Sequence, residues 1–384
     1  MKVALLTNEF PPDIYGGAGI HVQFLSRELR AHCEIEARAF GQQNDFEKNL
    51  HALGFAPKLD SKPIDPRMSK ILNPLDINLQ WASSLENIDI VHCHTWYSHF
   101  GGVVASKLFE CPLVLTTHSL EPHRPWKAEQ LGNGGYQMST WIERSAYQAA
   151  DGVIAVSKEM KRDVMELYGV PSDRVQVIYN GIDPDFYQPT FEPEVLDKFG
   201  IDKSKPFILF VGRITRQKGI SQLISAIPHI RKDVQVVLCA GAPDTPELAA
   251  ECESKINALK QTRDGIFWIQ EMMNHKELRV LYTYATAFVT PSLYEPFGII
   301  NLEAMSCGTP CVGFNVGGIP EMIDHRENGY VARCRDATDL AEGIRYVLGH
   351  NLRDAAHAKA AAAYDETRVA QQYIRLYTQS EHPE

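Results

Sequence analysis

The chain has 384 residues, 44% of them hydrophobic and 22% charged, with a net charge of −10. At this length two soluble domains are expected, each able to bury its own core. No dense basic cluster offsets the acidic balance, which excludes nucleic acid as an expected partner. No apolar signal core opens the sequence, and no run approaches the roughly 20 apolar residues that span a bilayer, so a cytoplasmic protein without a membrane partner is expected.

In the first half, strands are predicted at Val3 to Thr7, Ile88 to Cys93, Leu113 to Thr117, Gly152 to Val156 and Val175 to Ile178. The first ends in Thr7-Asn8-Glu9-Phe10-Pro11-Pro12, followed by Tyr15-Gly16-Gly17-Ala18-Gly19 and an amphipathic helix from about Ile20 to Ala31. A glycine loop there admits a phosphate or sugar without Cβ obstruction. Its spacing is not Gly-x-Gly-x-x-Gly, however, and many such loops carry glycine for steric reasons alone. The segment from Gly41 to Asn78, with four prolines and weak periodicity, reads as a surface excursion. Thr116-Thr117-His118-Ser119 puts His118 at the carboxyl edge of a strand, although a lone histidine is usually structural. His92 and His94 alternate on one strand, but no third ligand is spaced to complete a site, so no metal is expected. The eight cysteines form no Cys-x-x-Cys pair and read as reduced, mostly buried thiols.

Asn180-Gly181-Ile182-Asp183-Pro184-Asp185-Phe186-Tyr187-Gln188-Pro189 reads as a linker, which puts the domain boundary near residue 190. Asp183-Pro184-Asp185 is similar to the Asp-x-Asp of metal-dependent sugar transferases, but its place in a linker argues otherwise. A second series of strands follows at Phe207 to Val211, Val234 to Ala240, Ile266 to Ile269, Ala287 to Pro291 and Pro310 to Phe314. Strands alternating with amphipathic stretches predict an α/β protein built of parallel sheets with helices on both faces. The helical pattern from Thr367 to Thr378 could pack on either domain, and disorder is expected only in the terminal tail.

Two motifs carry most of the chemistry. Gly212-Arg213-Ile214-Thr215-Arg216-Gln217-Lys218-Gly219 places three cations within six residues at the carboxyl end of a strand, where open α/β sheets bind ligands. Arg213 can grip phosphate oxygens in a bidentate way and Lys218 can add a point charge. In Glu295-Pro-Phe-Gly-Ile-Ile-Asn-Leu-Glu303 two carboxylates eight residues apart flank the start of a helix. The amides near Gly298, Ile299 and Ile300 then suit an anionic group. Glu295 would face sugar hydroxyls and Glu303 a ribose diol.

Together with Thr117-His118-Ser119 and the hinge Asn180-Gly181-Ile182-Asp183, these residues resemble the retaining glycosyltransferases of the GT-B fold, specifically the glycogen and starch synthase-like group, over nearly the whole chain. His94-Thr95-Trp96-Tyr97, His118-Ser119-Leu120-Glu121-Pro122, Arg124-Pro125-Trp126-Lys127 and Tyr136-Gln137-Met138-Ser139 resemble the short bacterial glycogen synthases, a group that includes makers of maltose 1-phosphate. The longer members carry a lysine in the glycine loop and an aspartate where Thr95 stands here.

The resemblance implies two Rossmann-like domains, residues 1–190 on the acceptor side and 191–364 for the nucleotide sugar, facing each other across a cleft. It also implies a last helix, about 365–384, that returns to the first domain. Arg213 and Lys218 would hold the donor diphosphate, and Glu295 with the Gly298 amides the glucose. Glu303 would hold the ribose, and His118 would contact the sugar near the reacting carbon. Gly16 and Gly17 would line the donor, with Glu9, His94, Glu121 and Tyr136 toward the acceptor.

The implied reaction is retaining transfer of glucose from ADP-glucose, or UDP-glucose, to the 4-hydroxyl of an α-1,4-glucan or of glucose 1-phosphate. It would need no metal or other cofactor, because arginine, lysine and helix amides supply the positive field. A lipid-linked mannosyltransferase and a sugar nucleotide epimerase are the alternative readings. The helix from Ile20 to Ala31 carries only Arg27 and Arg30, which favours a soluble acceptor over a membrane-borne one. A homodimer is compatible with the sequence.

Overall fold

The computed structural model describes residues 1–59, 65–271 and 273–381, and structural counts below are of these. The chain divides into two compact units, Met1–Gly181 with Glu366–Glu384, and Ile182–Asp365.

The sheet of the first unit contains β1 (Lys2–Thr7), β2 (Glu34–Phe40), β3 (Asn44–Glu47), β4 (Leu50–Phe55), β5 (Ile90–His94), β6 (Leu113–Thr117), β7 (Gly152–Ala155) and β8 (Val175–Val177). Its order is β3-β4-β2-β1-β5-β6-β7-β8. β3 is antiparallel to β4, while the other neighbours run parallel. β1 lies in the middle, and Val3 to Leu6 are fully buried there, as a strand covered on both faces requires.

The region between residues 31 and 88 departs from the sequence reading. It contains β2, β3, β4 and a helix, Ser69–Ser84, that accommodates Pro74. Glu36 and Arg38 masked β2, because charged residues in a strand suggest a solvent face. Both are nevertheless buried, with Arg38 Nη2 2.9 Å from Glu36 Oε2 and Lys2 Nζ 3.0 Å from the same carboxylate. Residues 60–64 of the expected excursion lie outside the described residues.

The helix Glu366–Glu381 packs on the first unit. Tyr373 and Tyr377 are fully buried beside Val22 and Leu25, and the Tyr377 hydroxyl lies 2.6 Å from His92 Nδ1. The end of the expected tail, 382–384, is also outside the described residues.

The second unit holds β9 (Phe207–Arg213), β10 (Gln235–Gly241), β11 (Ile266–Ile269), β12 (Ala287–Thr290), β13 (Cys311–Phe314) and β14 (Gly329–Ala332). They form an all-parallel sheet in the order β11-β10-β9-β12-β13-β14. β14, which the sequence reading did not pick out, closes the edge against β13.

This unit begins at Ile182 rather than near residue 190, because hydrogen bonds and a buried side chain tie the linker to it. The amide of Ile182 donates to the Tyr364 carbonyl at 2.7 Å, and that of Thr190 to Thr283 Oγ1 at 2.9 Å. Tyr187 is buried.

In each sheet the unit's first strand sits where the order reverses, between β2 and β5 for β1 and between β10 and β12 for β9. Loops leaving the carboxyl ends of the strands at such a point diverge and leave a crevice.

Candidate active site

The loops after β9 and β12 leave the reversal point of the second sheet, and they meet. The Leu293 amide donates to the Gln217 carbonyl at 2.8 Å, and a Cβ on Gly219 would lie 1.9 Å from the Pro291 carbonyl oxygen. Gly219 also has φ +63°, so both space and backbone require glycine there.

This contact brings Lys218 to Glu295, with Nζ 2.7 Å from Oε2. Ser292 Oγ donates to the same oxygen at 2.9 Å. The Glu295 side chain is 7% exposed and that of Lys218 23%, so the pair is partly withdrawn from water and its charge-assisted hydrogen bond is correspondingly strong. Behind it, the Gly318 amide donates to the Glu295 carbonyl at 3.1 Å.

Arg213 is the last residue of β9 rather than part of the loop. Its guanidinium is half exposed and lies 3.1 Å from Asp244 Oδ1. Both expected phosphate-binding cations thus already sit on carboxylates. Gly298 caps the helix Ile299–Ser306, whose first amides, including those of Ile299 and Ile300, have no preceding turn of carbonyls within the helix.

Glu303 belongs to the same helix but to a different environment. It is 2% exposed, and its carboxyl accepts from the Tyr187 hydroxyl at 3.0 Å and the Tyr282 hydroxyl at 2.8 Å. Burial pushes its pKa up to about 7, against the opposing pull of the two tyrosines and of Lys218. The Tyr187 hydroxyl also lies 2.8 Å from His275 Nδ1. Glu303 therefore braces the linker, and the free carboxylate expected from its position in the sequence is enclosed. Asp183 has a local role as well, accepting from the amides of Asp185 and Phe186 at 3.0 Å, which is an Asx turn.

In the first unit, Glu9 organises the glycine loop. Its Oε2 accepts from the amides of Tyr15 and Gly16, both at 2.9 Å. Gly16 is extended, with φ −163°, and a Cβ there would meet nothing within 4 Å, so its open face belongs to the solvent side of the loop. Gly17 starts the helix Gly17–Leu29.

At the carboxyl ends of β5 and β6, His94 Nδ1 and His118 Nε2 are 2.9 Å apart. His21, from the helix Gly17–Leu29, joins them, its ring 5.1 Å from that of His118 and 5.7 Å from that of His94. Burial lowers the pKa of all three, most strongly for His21 and His94. The sequence reading found no third histidine because His21 lies more than 70 residues before His94 and on a helix rather than the strand.

Glu121, expected beside an acceptor, is instead fully buried. Its carboxylate accepts from Ser139 Oγ at 3.0 Å and pairs with Arg124 at 3.3 Å. Its amide donates to the buried Glu143 at 2.8 Å, and its carbonyl accepts from the Tyr136 hydroxyl at 2.8 Å. This polar cluster makes Glu121 and Tyr136 braces of the turn that follows His118.

Residues 15–186 match the family described as Glycosyltransferase Family 4, and residues 191–364 that described as Glycosyl transferases group 1. The alpha-maltose-1-phosphate synthase of Mycolicibacterium smegmatis is 42% identical to this chain over 397 residues, covering 98% of the chain and 99% of that protein. The chain is a GT-B glycosyltransferase.

The glycogen synthase of Mycobacterium tuberculosis is 26% identical over 390 residues, 94% of this chain and 89% of that one. The fold of this GT-B enzyme matches that of the sucrose-phosphate synthase from Thermosynechococcus elongatus with a TM-score of 0.81 at 23% identity, over 98% of both chains.

Within the glycosyltransferase, the structure gathers Lys218, Glu295 and the Gly298 turn in one unit, and His118 and His94 in the other, where Thr95 Oγ1, next to His94, donates to Asn8 Oδ1, next to Glu9, at 2.8 Å. Sequence reasoning missed Ser292, Asp244, Tyr187, Tyr282 and His21. Ser292 alone had a local signal, standing three residues before Glu295. No helix among the described residues is long and apolar enough to cross a membrane.

Proposed function

We propose that this hexosyltransferase moves glucose from ADP-glucose to the 4-hydroxyl of glucose 1-phosphate, with the end of an α-1,4-glucan as its second acceptor. The observation that carries the reading is the Lys218–Glu295 pair at the reversal point of the nucleotide-side sheet. It sets a phosphate-binding cation and a hydroxyl-binding carboxylate side by side, as a sugar bonded to a diphosphate requires. The 42% likeness to an alpha-maltose-1-phosphate synthase, against 26% to a glycogen synthase, supports the sugar phosphate as first acceptor. UDP-glucose is the competing donor.

In this reading Arg213 and Lys218 turn from Asp244 and Glu295 onto the diphosphate and stabilise its developing charge. Glu295 and the Gly298 amides hold the glucose hydroxyls, and His118 contacts the sugar near its anomeric carbon. Glu303 receives the ribose diol, for which one tyrosine bond must open. The bond from the anomeric carbon to the phosphate oxygen breaks as the acceptor O4 bonds to the same face. The O4 proton passes to the departing diphosphate, so configuration is retained without an enzymic nucleophile or a metal.

Product analysis with ADP-glucose, offered glucose 1-phosphate and glycogen in competition, tests this. The expected products are ADP and an α-linked disaccharide phosphate in excess over extended glucan. Failure with both acceptors, alongside turnover of another nucleotide sugar, overturns the reading. Conversion of the nucleotide sugar without an acceptor would instead identify an epimerase.

A further inference from the structure

His21, His94 and His118 come from the helix Gly17–Leu29, the end of β5 and the residue after β6. One potential ligand atom from each lies within 4.8 Å of the others. Such a trio has an ordinary structural explanation, an aromatic core stitched by hydrogen bonds, and neighbouring His92 fits it. Both His92 nitrogens are satisfied, by the Tyr377 hydroxyl at 2.6 Å and Thr116 Oγ1 at 2.7 Å.

His94 does not fit. Its Nδ1 faces His118, while Nε2 is buried with no partner among the described residues, an uncommon state for a buried polar atom. An orphan imidazole alone is not a site: both nitrogens of buried His99 also lack partners, and its ring lies edge-on to Tyr147, outside the trio. What distinguishes His94 is convergence with two other imidazoles.

We propose that His21, His94 and His118 form a binding site for a divalent transition metal of the zinc type, and that occupancy inhibits the transferase by capturing His118.

Three imidazoles with one open position form a familiar donor set for such ions, which sit about 2.0 to 2.1 Å from each nitrogen. The present separation needs side-chain rotation to contract. The more open ring is that of His118, whereas His21 and His94 are buried, so the ion enters from the His118 side. A neutral imidazole offers one ring lone pair, so each side chain needs only the tautomer that turns that lone pair toward the ion. The fourth position takes water or a small anion, and the anion offsets part of the charge carried into the site.

The site itself is independent of the proposed function; only the inhibition rests on the placement of His118 at the sugar. Chelator-treated protein is titrated with zinc chloride by calorimetry and with cobalt chloride by visible absorption. The wild type is expected to bind one equivalent more than His21→Gln, and to give four-coordinate cobalt bands that the variant lacks. Circular dichroism verifies the variant's fold. Equal stoichiometry in the two proteins overturns the site. If His21→Gln does not fold, His118→Asn, at the open edge, gives the same binding comparison.

In the second arm, one equivalent of zinc is expected to lower wild-type glucosyl transfer at least tenfold and to leave His21→Gln unaffected. Undiminished transfer with the zinc site filled overturns the inhibition and the placement of His118 with it. A protein that binds zinc at the trio but uses another sugar donor overturns the proposed function and not the site.

Discussion

Lys218 Nζ and Glu295 Oε2 are 2.7 Å apart, although 77 residues separate them in the chain. The pair joins the loop after β9 to the loop after β12, where the sheet order reverses. Lys218→Ala and Glu295→Ala are each expected to lower kcat/KM about a hundredfold or more, the scale of losing one preorganised electrostatic contact to a developing charge. Both should fold, because water reaches Lys218 and can solvate whichever partner remains. Steady-state kinetics beside thermal melting separate the effects; near-normal rates in both variants would remove the pair from the site.

Two glycines should behave oppositely. A Cβ on Gly317 would lie 1.9 Å from the Glu295 carbonyl oxygen, with φ at +53°, so Gly317→Ala should cost on the order of 3 kcal/mol in stability. Gly16→Ala meets nothing within 4 Å and should change stability by less than about 0.5 kcal/mol. Any loss of activity in Gly16→Ala then reports ligand approach rather than folding. Denaturant titration of both variants provides the check.

The enclosure of Glu303 has a pH signature. With its pKa raised from the usual 4.5 to about 7, the folded state holds a proton that the unfolded state releases. Its contribution to stability is therefore present at low pH and lost as pH rises from about 4.5 through about 7. The full swing is on the order of 3 kcal/mol. Glu303→Gln should remove this dependence, so that the variant gains on the parent between pH 5 and pH 8. Parallel stability curves for the two proteins would contradict the enclosure.

Buried histidines of the first unit act in the opposite sense. Burial holds His92 and His99 down to about 3, so below the usual 6.5 the unfolded state takes up protons that the folded state refuses. Stability should fall as pH drops from about 6.5 toward 3. His99→Leu removes one such group and should flatten this acid limb by roughly 1.4 kcal/mol per pH unit. Melting temperatures across that window, compared with the parent, measure the slope.

Strands built on an unbroken apolar run, such as Val3 to Leu6 in β1 and Phe207 to Val211 in β9, were legible because a strand buried on both faces needs such a run. β2 was not, since its burial of Glu36 and Arg38 depends on Lys2, a residue 34 positions away from Glu36. The carboxylates Glu295 and Glu303 show the same division. Their spacing was visible, but the cation pairing of one and the tyrosine-capped enclosure of the other depend on Lys218, Tyr187 and Tyr282.

The sequence by itself determined the α/β class, the two series of strands, the glycine and cation loops, and the family to which those motifs point. These are properties of neighbouring residues, set by backbone geometry and by hydrophobic periodicity. Only the tertiary structure decided which cation meets which carboxylate, that Glu121 and Glu303 are enclosed, and that His21 joins His94 and His118. Those outcomes depend on burial and on distances between groups far apart in the chain, because the energy of a charge or an imidazole is set by what surrounds it in space.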